Sequence, residues 1–162
     1  MSNLLKIAVC VIAMSAIAPG AGLAQSRAKL APPAGTPMAT SHLNPNTASE
    51  AQLRAVPQLG PALASSVVRG RPYKTQSEFA KVVAGKVPEA QIPALYAAVF
   101  VPVSLNTGAR EDIMLIPGMT RRMAHEFEEY RPYKDLAQFD REIGKYVEPP
   151  EVARLRSYVT LP

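Results

Sequence analysis

The sequence predicts an all-α protein: two tandem units of about four short helices each, behind a signal peptide and a flexible linker. Three observations carry that expectation. From residue 46 onward the chain repeats itself at a spacing of 60 residues without a gap. Inside each repeat, short stretches with apolar residues at helical spacing are cut apart by proline and glycine. Aromatics are few and tryptophan is absent from the 162 residues, which favours small helical packing units over a large aromatic core. A chain of this length allows one domain of ordinary size or two very small ones.

The first segment, residues 1–24, reads as a secretory signal peptide. MSNLLK carries one lysine, and IAVCVIAMSAIA is an apolar run too short to span a bilayer comfortably. Gly22 and Ala24 occupy the small-residue positions that a signal peptidase reads, so cleavage is expected before Gln25. The alternative is an uncleaved N-terminal anchor. The only cysteine, Cys10, lies inside the apolar run, so the mature chain has no disulfide or thiol chemistry. Residues 25–45 are rich in alanine, proline, serine and threonine and have no hydrophobic period, as in a flexible linker. His42 falls there and reads as solvated, because a metal site needs clustered ligands.

The repeat is visible in identities and in apolar type. Asn46-Thr47 meets Asn106-Thr107, Pro57 meets Pro117, Ala64 meets Ala124, and RPYK at 71–74 meets RPYK at 131–134. Phe79 meets Phe139, Val87 meets Val147, Leu95 meets Leu155, and Val99 meets Val159. Leu53 aligns with Ile113, Val56 with Ile116, and Val67 with Phe127, keeping apolar type where identity is lost. The expected units are 46–102 and 103–162.

Each unit reads as four short helices. TASE at 47–50 forms a capping-box pattern, with Thr47 as the cap and Glu50 reaching back. Pro57 ends the first helix, since a residue before proline disfavours the helical region. Pro61 suits the first turn of the second helix, where its missing N–H is not needed. Leu63, Ala64, Val67 and Val68 give that helix its apolar stripe, and Gly70 ends it. TQSE at 75–78 opens the third helix, and Asp135 with Gln138 plays the same part in the second unit. A fourth helix runs from about Glu89 to Val99. Each unit is small enough that a lone core is marginal, so the two are expected in contact, helix four of the first against the second.

RPYK then reads as punctuation between the second and third helices. Its proline stops helix continuation, and its tyrosine packs on the small core with the hydroxyl at the surface. Phe79 and Phe139 are the expected ring partners. Lys74 and Lys134 are either solvated or phosphate contacts.

VPQLGPALA at 56–64 and IPGMTRRMA at 116–124 resemble the helix-hairpin-helix motif. The whole stretch LNPNTASEAQLRAVPQLGPALASSVVRGRPYKTQSEFAKV is similar to the DNA-binding domain of the competence DNA receptor family. That resemblance covers nearly all of residues 46–162 and implies an exported protein that binds double-stranded DNA without sequence preference. The physics of such a hairpin is simple. Glycines let the loop turn tightly and bring backbone N–H groups to a helix N-terminus, where the dipole also favours a phosphate. No base edge is read, so binding is indifferent to sequence and sensitive to salt.

The residues this implies as phosphate-binding are Gln58, Leu59, Gly60 and Ala62 in the first hairpin. Gly118, Met119, Thr120, Arg121 and Arg122 follow in the second, with Lys74 from RPYK. Both hairpins depart from the pattern: Gln58 replaces the first glycine of one, and Thr120 the second glycine of the other. A β-branched residue is a poor fit where φ must be positive. The turns between helices three and four, AGKVP at 84–88 and GKYVE at 144–148, have largely lost the glycine pattern and read as structural.

Charge divides the chain. Residues 46–102 hold six basic and three acidic side chains, whereas residues 103–162 hold nine basic and ten acidic ones. Glu126, Glu128 and Glu129 line the second unit's second helix, as a solvated face or a face for a basic envelope partner. Nothing points to catalysis. His125 has acidic neighbours but no nucleophile arrangement, and no CxxC, HExxH or Walker-type loop occurs, so neither a cofactor nor a small-molecule substrate is expected. The expectation is sequence-independent binding of double-stranded DNA by an exported, periplasmic or extracellular protein, with DNA uptake, DNA retention and envelope assembly open as the process served. The alternative is an extracytoplasmic interaction or scaffold module that has lost DNA binding.

Overall fold

The computed structural model describes residues 42–161. The segment read as a signal peptide, Cys10 and the expected linker up to residue 41 lie outside the described residues. Among those described, eight α-helices follow one another: α1 (Glu50–Arg54), α2 (Gly60–Arg69), α3 (Gln76–Val83), α4 (Ile92–Ala98), α5 (Arg110–Met114), α6 (Arg121–Glu129), α7 (Leu136–Ile143) and α8 (Pro149–Ser157). A 3-10 turn, Glu89–Gln91, leads into α4. The chain is therefore all-α, as expected, apart from two very short strands that the sequence reading missed. These are β1 (Val103–Ser104) and β2 (Val159–Thr160), paired in parallel with Val103 opposite Val159.

Helices of five to ten residues are marginal alone, so tertiary burial holds them. Each supplies a narrow apolar face to one core: Leu53 from α1, Leu63 and Val67 from α2, Phe79 and Val83 from α3, and Leu95 from α4. Ile113, Phe127, Phe139 and Leu155 continue it through α5 to α8.

The first cap lies two residues later than the sequence suggested. Ser49, not Thr47, caps α1, and Gln52, not Glu50, completes the capping box. Both quartets fit the pattern. The carbonyl of Asn44 decides between them by accepting from the N–H groups of Thr47 (3.1 Å) and Ala48 (2.9 Å), so a separate turn precedes the helix. Glu50 instead accepts from Arg54 and Ser65, both at 2.5 Å. At α3 and α7 the expected caps hold: Thr75 accepts from the Glu78 N–H and Asp135 from the Gln138 N–H. Glu78 and Gln138 reach one residue past the cap, to the N–H groups of Lys74 and Lys134.

RPYK is a tie point. Both Arg-Pro bonds are cis. The Asn46 side chain accepts from the Tyr73 N–H and donates to the Tyr73 carbonyl, each at 2.8 Å. Asn106 treats Tyr133 the same way, at 2.7 and 3.0 Å. Arg71 donates to the carbonyls of Pro45 and Ala48, and Arg131 to those of Leu105 and Gly108. The tyrosine hydroxyls are not at the surface as expected. That of Tyr73 is buried and donates to the Val67 carbonyl at 2.8 Å, while that of Tyr133 makes a longer bond to the Glu126 carbonyl. A carbonyl left by the end of the second helix needs a donor, and the tyrosine supplies it. Burial pushes both phenols above their ordinary pKa. Their rings meet Phe79 and Phe139 at 5.7 and 5.8 Å, as the sequence suggested.

The folded part begins before residue 46. The Leu43 N–H donates to the Ala98 carbonyl (2.8 Å), and the Phe100 N–H donates to the Leu43 carbonyl (2.9 Å). The same parallel pairing recurs sixty residues on, where the Val103 N–H donates to the Tyr158 carbonyl (2.9 Å). His42 is not solvated linker: its ring stacks on Tyr158 at 4.4 Å and meets Phe100 edge-on. The partner lies at the far end of the chain, beyond any local sequence signal.

The two runs of four helices join mainly through α3 and α5. Asp112 accepts from the Ser77 N–H (2.8 Å) and hydroxyl (2.6 Å), so a carboxylate sits at the start of α3 where the helix dipole favours it. Gln76 accepts from the Val101 N–H at 2.8 Å. The expectation that helix four packs on the second unit is corrected to this: α4 contributes through Phe100, just past its end, which meets Tyr158 edge-on at 4.9 Å.

Asn46→Ala and Asn106→Ala each strand a backbone donor and acceptor, so each lowers unfolding stability by about 1–3 kcal/mol. Lys74→Ala stays within about 0.5 kcal/mol. Denaturant titration of the three variants checks both statements.

Candidate phosphate-binding site

Four turns in the described chain share one hydrogen bond. The N–H of Leu59 donates to the Val56 carbonyl, that of Lys86 to Val83, that of Met119 to Ile116, and that of Tyr146 to Ile143, all at 2.9–3.1 Å. A left-handed glycine lies inside two of the turns, Gly85 (φ 69) and Gly118 (φ 77), and directly after a third, Gly60 (φ 56). Gly85 and Gly118 occupy the same place in their turns, so AGKVP keeps more of the pattern than its sequence suggested. GKYVE does not: a Cβ on Gly144 would lie 2.7 Å from the Asp140 carbonyl oxygen, so that glycine answers to packing. Thr120 carries no strain. Its φ is −106, because the left-handed step of its turn falls on Gly118 instead.

The start of α2 is open. No side chain caps it, the Leu59 N–H is used by Val56, and Pro61 has no N–H to offer. Gly60 and Ala62 are thus left to present the positive end of a ten-residue helix. They border a shallow depression of about 460 Å³ that Gln58, Leu59, Ser66 and Lys86 complete. Lys86 comes from the Val83–Lys86 turn and has no carboxylate partner among the described residues. Arg54, nearby in sequence, is already engaged by Glu50. The hydrogen bond from Ser65, then that from Arg54, hold the Glu50 carboxyl below the ordinary carboxylate range.

The start of α6 is closed. The Thr120 hydroxyl accepts from the Met123 N–H at 3.1 Å, taking up a donor that an anion would need. Arg121 and Arg122 are exposed, and the Arg121 carbonyl accepts from Arg110, which also pairs with Glu128. Gly118 is exposed and Met119 packs against the core edge. Where the first half has Lys86, the second has Tyr146, buried and hydrogen-bonded through its hydroxyl to that of Tyr130 at 2.8 Å. The carboxylate of Glu126 is buried in the same region. Lys145 lies over the Tyr130 ring and is paired with Glu142.

The expected site residues therefore separate. Gln58, Leu59, Gly60 and Ala62 meet in one place with Lys86, which the sequence reading missed. Gly118, Met119, Thr120, Arg121 and Arg122 form a second place with fewer free donors. Lys74 belongs to neither: it is exposed and borders a different cavity of about 170 Å³, with Thr75, Gln76 and Asp112. The signal for Lys86 was the glycine before it, because Gly85 keeps the turn that turns this lysine toward Gly60 and Ala62. Among the described residues no helix is long and apolar enough to cross a membrane. Comparison with known proteins found no matching family model, no matching curated protein and no matching solved structure.

The two helix ends respond oppositely to substitution. Thr120→Ala removes a cap and lowers stability by about 1 kcal/mol. Ala62→Asp brings a carboxylate to an open helix end and raises stability by about 0.3–1 kcal/mol. Thermal unfolding at low ionic strength reads both.

Proposed function

We propose that this chain is an exported, tandem helix-hairpin-helix protein, similar to the competence DNA receptor family, that binds double-stranded DNA through backbone phosphates. The observation that carries the reading is the uncapped start of α2, with left-handed Gly60 and Lys86, unpaired among the described residues, on one depression. A phosphate oxygen there meets backbone donors, a helix dipole and an ammonium, and no group in the depression is placed to read a base. The signal segment at residues 1–24 supports export, and the excess of basic residues in 46–102 supports a polyanionic partner. DNA uptake is the process this reading implies.

The acidic half supports a second reading, an extracytoplasmic interaction or scaffold module. Its helix end is closed by Thr120, and Tyr146 stands where the other half has Lys86. Both readings hold within one chain if the first half holds phosphate and the second a basic envelope partner.

Fluorescence anisotropy of a labelled duplex, titrated with the protein at several salt concentrations, separates them. Binding that ignores sequence and falls with a log–log salt slope between about −1 and −2 is expected, as for one or two neutralised phosphates. Lys86→Glu and Ala62→Asp each weaken it roughly tenfold or more, and the Arg121→Ala/Arg122→Ala pair weakens it by less than about threefold. A folded protein that binds no duplex at low salt leaves the hairpins as structural turns and the scaffold reading in place.

A further inference from the structure

His42 and Tyr158 lie 116 positions apart, at opposite ends of the described chain, yet their rings stack at 4.4 Å with planes only 12° apart. Phe100 closes the arrangement edge-on to both rings, at 5.9 Å from His42 and 4.9 Å from Tyr158. Directly beside the stack, Leu43 is hydrogen-bonded on both sides to the backbone leaving α4. The imidazole thus pins the first described residues onto both runs of helices. The repeat does not demand it. Sixty residues on, Pro102 occupies the position of His42, and the position of Tyr158 is held in the first half by Ala98.

The site suits a neutral ring and not a cation. The Nδ1 atom of His42 is buried and has no hydrogen-bond partner among the described residues. The charged groups around the stack come from α8. Arg154 lies 5.7 Å from the centre of the Tyr158 ring, and Glu151 is already held by two bonds from Arg154, at 2.6 and 2.7 Å. α4 carries no charged residue. A cation on His42 would therefore share one tyrosine with a guanidinium, with no carboxylate left to answer it. Arg154 already makes a cation–π contact with the Tyr158 ring, so a second cation on that ring would compete with it.

We propose that the His42–Tyr158 stack is an acid-opened clasp: closed with neutral imidazole, it ties the start of the fold to its end, and protonation releases residues 42–43 and loosens the joint between the halves. Burial holds the His42 pKa below its ordinary value. The clasp's contribution is therefore complete above the free-histidine pKa of about 6.5 and is lost as pH falls below it.

Amide hydrogen exchange of the protein between pH 7.5 and 5, corrected for the intrinsic pH dependence of exchange, tests this. The Leu43 and Phe100 amides should lose protection severalfold, up to roughly thirtyfold at pH 5 if only the released ring is protonated there. The Tyr73 and Tyr133 amides should keep theirs. His42→Phe keeps a stacking ring without a titrating group, so its Leu43 and Phe100 amides should show no such loss. His42→Gln should exchange fast at both ends of the range. Unchanged protection in the parent protein, or an equal acid-dependent loss in His42→Phe, overturns the proposal.

Discussion

The constraint on which the rest depends is the grip of one asparagine on one tyrosine's backbone. Asn46 and Asn106 satisfy both the N–H and the carbonyl of Tyr73 and Tyr133, 27 positions away in each case. An arginine two residues before each tyrosine then ties off two carbonyls of the segment that carries the asparagine. Four bonds thus join the strand-like entry of each half to the corner between its second and third helices. Helices of five to ten residues have little stability of their own. With the corner fixed, Tyr73 and Tyr133 must point inward, meet their phenylalanines, and hold the short helices in register. RPYK recurs because this corner recurs.

Much of the architecture was legible because the repeat displays it twice. Leu53 with Ile113 and Val67 with Phe127 keep apolar character where identity is lost, and all four are buried. What escaped had physical reasons. Thr47 and Ser49 both head capping patterns, and only the Asn44 carbonyl, acting through a turn, decides between them. His42 depends on a ring 116 residues away. The junction residues break the repeat: Gln76 aligns with Leu136, Ser77 with Ala137 and Asp112 with Gln52. A comparison of halves makes such positions look variable, when they are polar because the two halves meet there.

The same repeated turn has two fates, and the difference sets the functional proposal. In the first half the helix end stays uncapped and shares a depression with a lysine that is unpaired among the described residues. In the second, a threonine consumes the end, and a tyrosine pair with a buried glutamate fills the adjacent position. Composition pointed the same way, since the basic excess lies in the first half. It did not reveal that Arg121 and Arg122, the most conspicuous basic pair, stand at the closed end.

The central claim is that phosphate seats at the start of α2, and backbone amide shifts test it most directly. The protein, labelled with ¹⁵N, is titrated with a short DNA duplex at low salt. The account predicts that the largest movements fall on the amides of Gly60, Ala62 and Lys86, and that Met123, held by Thr120, stays nearly still. Movements centred on Met119 to Met123, or spread evenly over the basic surface, would contradict it.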